Sequence, residues 1–215
     1  MPPERVGILG GTFDPIHLGH LIPAMYALEH LHLDRLYLIP SAAPVHRPLH
    51  TPAPADDRLR MCRLAVQHLP RFAVSDLELR RPEPSYTVLT LEHFHSRLGP
   101  ADSLFLLVGE DNLPLLSTWH RAADLPRLAR LAVLPRPKKG TGSFSGRSEK
   151  VPVPFFSGRA GLGEGGPKSP IPIPSPLVPI SGTDIRRLLR AGQDAAGLLP
   201  ASVAAYIRDH GLYRP

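Results

Sequence analysis

The sequence is poor in cysteine and aromatic residues, and it has no long apolar run. Cys62 is the only cysteine among 215 residues, which rules out an internal disulfide and suits a reducing, cytoplasmic compartment. Its place in a helical apolar pattern reads as a small buried hydrophobe. No stretch reaches the roughly 18 consecutive apolar residues of a membrane-spanning helix, so no membrane partner is expected. No charged-then-apolar leader precedes the strand-like Arg5–Leu9, and no secretory signal is expected either. Three chemical patterns are missing as well. Without G-x-G-x-x-G a hydride-transfer enzyme is disfavoured, and without G-x-x-x-x-G-K-[ST] so is an ordinary P-loop kinase. Without H-E-x-x-H, and with one distant cysteine, a zinc site has too few donors.

Proline and glycine, by contrast, are abundant, and the net charge is +6. Residues 136–168 hold seven Lys or Arg against Glu149 and Glu164, so this segment supplies +5 of that charge. A duplex-binding protein needs its basic residues fixed on a folded face. Here they lie in a stretch, 135–176, with nine prolines and eight glycines, a composition of flexible segments. No nucleic-acid partner is expected. The stretch reads as a flexible basic insert within one domain spanning 1–215, either a tolerated insertion or a lid leading into Ser181. Its end, Pro170–Pro176, alternates proline with other residues and should be extended without being a central strand.

Elsewhere, apolar runs alternate with helical patterns. Val6–Leu9, Leu36–Ile39, Phe72–Val74, Leu104–Val108 and Leu131–Leu134 read as strands. Leu59, Cys62, Val66 and Leu69 mark one helix face, with Asp56 as a candidate cap. Val88, Leu91, Phe94 and Leu98 mark another, capped by Ser85. After an ordered Leu177–Ile180, helices are expected over about 182–191 and 201–210, so 181–215 forms a C-terminal helical part. Near-continuous apolar strands alternating with amphipathic helices predict an α/β fold, a doubly wound parallel sheet.

The chemistry concentrates just after the first strand, in Gly10-Gly-Thr-Phe-Asp-Pro-Ile-His-Leu-Gly-His20. In such sheets ligands bind at the carboxyl ends of strands. Gly10 and Gly11 allow a tight turn and let backbone amides approach an anion. Asp14-Pro15 makes a turn, and His17 and His20 lie on one face of the first turn of the helix that follows. Two imidazoles there can donate to a polyphosphate and stabilise charge developing on phosphorus. A metal-ligand pair and a purely structural pair are the alternatives. Farther on, Ser181 can cap a helix with Thr183 and Arg186 on its first turns, which makes a second anion site or simply a capped surface helix. Gly109 and Asp111 end an apolar strand, where a carboxylate suits ribose hydroxyls or a plain loop. Trp119, the lone tryptophan, is core or platform.

The motif GGTFDPIHLGH resembles the signature of the H-x-G-H nucleotidyltransferases, which have a Rossmann-like fold. In this long form it resembles the bacterial nicotinate-nucleotide adenylyltransferases. The likeness continues through Pro40–Pro48, Ser85-Tyr-Thr87, Gly109-Glu-Asp-Asn-Leu113, Thr118-Trp119, Ile180–Arg186 and Leu199–Tyr213. It implies adenylyl transfer from MgATP, with magnesium bound through the phosphates, to nicotinic acid mononucleotide. ATP would meet Gly10, Gly11, Thr12, Phe13, His17, His20, Arg47, Gly109, Asp111, Ser181, Thr183 and Arg186. Of these, His17, His20 and Arg186 would carry catalysis. The acceptor would meet Thr12, His46, Tyr86, Thr87 and Trp119, the last by stacking on the pyridine. The relatives' Pro-Pro-His reads Pro44-Val45-His46 here, and Arg47 stands where many have lysine. Rivals are a related transferase acting on phosphopantetheine or glycerol phosphate, and a non-catalytic basic nucleotide- or RNA-binding protein. Self-association stays open.

Overall fold

The computed structural model describes residues 3–42, 53–99, 103–136 and 169–214. Strands β1 (Arg5–Gly11), β2 (Arg35–Pro40), β3 (Phe72–Val74), β4 (Ser103–Gly109), β5 (Arg130–Leu134) and β6 (Ile171–Pro172) form a parallel sheet of order β3-β2-β1-β4-β5-β6. The expected doubly wound sheet is therefore present. Chain order reverses beside β1, between it and β4, and this is where open α/β sheets leave a crevice at their carboxyl ends.

The apolar runs are continuous because alternate residues face opposite layers. Along β4, Leu104, Leu106 and Val108 enter one buried cluster while Phe105 and Leu107 enter the other. Helices α1 (Leu18–His30), α2 (Ala55–Val66), α6 (Gly182–Arg190) and α7 (Ala201–Asp209) cover the Phe105 face. A single turn after β3, α3 (Leu77–Arg80), was not anticipated by sequence patterning. Helix α4 (Thr87–His95) and α5 (Leu125–Leu128) cover the other face, together with a 3-10 segment, Glu110–Thr118. Cys62 is fully buried on α2, and burial pushes its thiol pKa up, as a core hydrophobe requires. Among the described residues no helix is long and apolar enough to cross a membrane.

Two expected caps are replaced. Pro54, not Asp56, stands at the N-cap of α2, and Tyr86, not Ser85, at that of α4. Neither caps through its side chain; the Ser85 hydroxyl instead accepts from the Ala42 amide at 2.9 Å. Parts of the stretch 135–176 lie among the described residues. Ile171–Pro172 pairs with β5 as an edge strand, where proline's missing N–H costs no ladder bond on the open side. Arg136 is placed as well, whereas 137–168 lie outside the described residues, as do His46 and Arg47.

Candidate active site

The loop after β1 turns at Phe13 rather than at the glycines. Phe13 takes a left-handed φ of 49°, a conformation costly outside glycine, and is held there by almost complete burial. Gly10 and Gly11 end the strand itself, and the space where a Gly10 side chain would stand is open. Backbone can therefore be approached there.

His17 is the N-cap of α1, with extended backbone, and is 2 % exposed; His20 sits one turn on. Their rings stack at 3.8 Å, and the Phe13 ring meets His20 edge-on at 5.2 Å. The His17 amide donates to His20 Nδ1 at 3.4 Å. A neutral His20 then carries its proton on Nε2, where it can only donate. Burial, with Arg136 and Arg186 nearby, lowers the His17 pKa to about 3. Burial, His17 and Arg136 hold His20 well below its usual value. At neutral pH both imidazoles are uncharged donors, and the positive charge of the site belongs to guanidiniums. The buried Nδ1 of His17 has no hydrogen-bond partner. Gly19, between the histidines, has to be glycine: a Cβ would lie 2.8 Å from the Ile180 carbonyl and 2.9 Å from His17 Nδ1.

Arg136 follows β5 and donates to the Gly19 carbonyl at 3.3 Å. Composition groups it with the Pro/Gly-rich stretch, yet it lies close enough to lower the pKa of both histidines. The available signal was its place at the carboxyl end of a strand. Opposite, Ser181 caps α6, accepting from the Asp184 amide at 3.1 Å and donating to the Asp184 carboxylate at 2.6 Å. Its hydroxyl is thus engaged within its own helix. Arg186 donates to the Asp14 carbonyl and, at 3.3 Å, to the Thr183 hydroxyl; its guanidinium is 3.7 Å from the Asp14 carboxylate. Asp14 also accepts from Tyr213 at 2.6 Å and from the Ala53 amide at 3.0 Å. Burial and the Asp14 charge push the Tyr213 phenol pKa upward, so it stays a donor. Sequence patterning gave no sign of Asp14 and Tyr213 as a pair. Histidines, guanidiniums and the α6 start form what we call the phosphate end.

Gly109 ends β4 and Asp111 is the second residue of the 3-10 segment after it; the room left by a missing Gly109 side chain is bordered by Asp111 and Arg136. What we call the ring end, after the expected acceptor contacts Tyr86, Thr87 and Trp119, lies where α4 meets the far end of that segment. Tyr86 stacks on His120 at 4.2 Å and 23°, a partner that sequence reading had not identified. Thr87 opens α4, and Trp119 is half-buried, packed on the apolar cluster that holds Val88, Leu91 and Leu116. Trp119 thus serves the core with part of its ring, and Tyr86, Thr87 and Trp119 are brought to one place. The donors gathered in the whole region are amides, imidazoles, hydroxyls and guanidiniums, which suit phosphate oxygens. Among the described residues no three His, Cys, Asp or Glu side chains converge on a cation site.

A parallel sheet with this order and a two-histidine loop at its switch point define a nucleotidyltransferase. The family model described as cytidylyltransferase-like matches residues 8–188. Full-length relatives narrow the class. A probable nicotinate-nucleotide adenylyltransferase of Pseudomonas syringae pv. tomato is 42 % identical over 212 residues, covering 99 % of this chain and 95 % of the relative. One of Thermus thermophilus is 42 % identical over 211 residues, covering 98 % and 100 %. The chain belongs to the nicotinate-nucleotide adenylyltransferase family. The fold is also that of the Plasmodium falciparum nicotinic acid mononucleotide adenylyltransferase complexed with NaAD, with a TM-score of 0.71 at 18 % identity, over 98 % of this chain and 97 % of that one.

Proposed function

We propose that the protein transfers the adenylyl group of MgATP to nicotinic acid mononucleotide, giving nicotinic acid adenine dinucleotide and pyrophosphate. The observation that carries this reading is the neutral, stacked His17–His20 pair between Arg136 and Arg186 at the switch point. Family membership supplies the acceptor, as in the relatives' names.

An oxygen of the acceptor phosphate attacks the α-phosphorus of ATP, forming one P–O bond as the bond to the β-phosphate oxygen breaks. That oxygen is already anionic at neutral pH, so no base is needed, and the protein's work is alignment and charge stabilisation. His20 donates from Nε2 to the α-phosphate oxygens, and His17 supports it as the stacked partner. Arg186, Arg136 and the start of α6, with Ser181 and Thr183, hold the leaving pyrophosphate; Arg47 adds a further cation. Binding there requires the Ser181 hydroxyl to turn from Asp184 to phosphate. Magnesium would be held through the nucleotide's own phosphates and would supply charge neutralisation there. Asp111 takes the adenosine ribose beside Gly109, while Gly10, Gly11, Thr12 and Phe13 line the nucleotide. Thr87, Tyr86 and Trp119 take the pyridine ring, and His46 the acceptor phosphate. The partners are small molecules, in a cytoplasmic setting. Pyrophosphate release from ATP with nicotinic acid mononucleotide, nicotinamide mononucleotide, phosphopantetheine and glycerol phosphate tests the assignment. The first should be the best acceptor; a preference for either of the last two refutes it.

A further inference from the structure

Arg58 on α2 is 2 % exposed, a cation buried among side chains of the core. Four of its hydrogen bonds go to backbone carbonyls of three separate segments. Nη1 donates to Thr12 at 2.7 Å and to Ser41 at 2.8 Å, Nη2 to Ala42 at 3.1 Å, and Nε to Ala53 at 3.1 Å. The same segments are tied a second time from other directions. The Ser41 amide donates to the Gly11 carbonyl at 3.0 Å, the Ala42 amide to the Ser85 hydroxyl, and the Ala53 amide to Asp14. Every backbone polar group of Ser41–Ala42 is therefore engaged. The Ser85 hydroxyl is in turn hydrogen-bonded to Glu78, whose carboxylate accepts from Thr90 of α4 at 2.7 Å.

A buried cation is a poor stability device. Its desolvation costs several kcal/mol, and an apolar residue of similar volume often serves the core as well. What a guanidinium offers instead is a rigid fork of five donors in one plane. Here that fork spans the loop after β1, the end of β2 and the approach to α2, all at the carboxyl edge of the sheet. We propose that Arg58 is a positioning residue for adenylyl transfer. It touches neither substrate, and it fixes Thr12 relative to Ser41–Ala42 and Ala53 so that acceptor and α-phosphate meet in line. A displacement on the order of 1 Å at such an edge costs about 10²-fold in rate.

The kinetic part rests on the adenylyl-transfer reading above; amide exchange does not, so the two can fail separately. The test is R58K, which retains a buried charge opposite Asp14, with R58Q as the second variant, both as the full chain. Lysine offers three donors from a single point and cannot reach three segments. Expected for R58K is a kcat per folded molecule lower by about 10–10², with KM for ATP and for the mononucleotide little changed. Exchange of the Ala42 and Ala53 amides should quicken while Val6–Leu9 and Leu104–Val108 stay protected. Wild-type kcat in R58K overturns the proposal, and so does a rise in KM at unchanged kcat. Failure of R58K to fold also overturns it, by making the residue a stability element. If the wild-type protein shows no transfer to the mononucleotide, the function falls, and exchange alone still judges the clamp.

Discussion

The phosphate end and the ring end of the site are built by different forces. At the phosphate end, His20, Arg136 and Arg186 are fixed by hydrogen bonds to backbone, and Asp14 ties that region to Tyr213 near the chain's end. At the ring end, Tyr86 and Trp119 are held by packing on an apolar cluster, and Tyr86 also by stacking on His120. Polar fixation sets direction to within a fraction of an ångström, which charge stabilisation needs. Apolar packing sets a surface, which is enough to choose a flat ring. The first end should therefore govern kcat and the second the affinity for the acceptor.

The sharpest break in that comparison is H20A, expected to lower kcat by about 10²–10³, the loss seen when a transition-state donor is removed. Steady-state kinetics would show it as a kcat effect with both KM values near wild type. W119L keeps the apolar packing and removes the large π face. It should raise KM for the mononucleotide by about 10–10², in line with the roughly 1–3 kcal/mol of a base–aromatic stack, and leave kcat alone. If W119L lowers kcat instead, the two ends are not separable. R136Q comes next, with about a tenfold fall in kcat/KM for ATP, the scale of one lost charge-assisted bond. It should also raise the pKa of both imidazoles, read by NMR titration, because a cation beside them is gone.

The smallest effect is on stability. Both histidines have pKa values lowered in the folded protein, so the unfolded chain takes up protons first as pH falls. Stability should decline through these two groups as pH falls below about 6.5, for His17 down to about pH 3. A chemical-denaturation series on the wild type and on H17Q, which lacks one of them, measures the difference. No pH-dependent difference between the two would contradict the burial of a neutral His17.

Legibility in the sequence followed the range of each interaction. The sheet was readable because strands buried on both faces announce themselves locally, and five of them were placed within a residue or two. The histidine loop was readable because its chemistry lies within one turn of chain. The caps of α2 and α4 were misread, since Pro54 and Tyr86 offer no capping side chain while nearby Asp56 and Ser85 do. Arg136, Tyr213 and Arg58 were hidden for another reason. Their partners are distant in sequence: Arg136 donates to Gly19 across 117 positions and Tyr213 to Asp14 across 199. Composition even pointed the wrong way for Arg136, placing a site guanidinium in a proline-rich surplus of charge.

Adenylyl transfer itself is tested most directly with ATP labelled at the α-phosphate, in a single turnover with excess enzyme and nicotinic acid mononucleotide. The label should pass into the dinucleotide as unlabelled pyrophosphate is released, one for one. Label that stays in ATP, or appears in AMP with no dinucleotide formed, would contradict it.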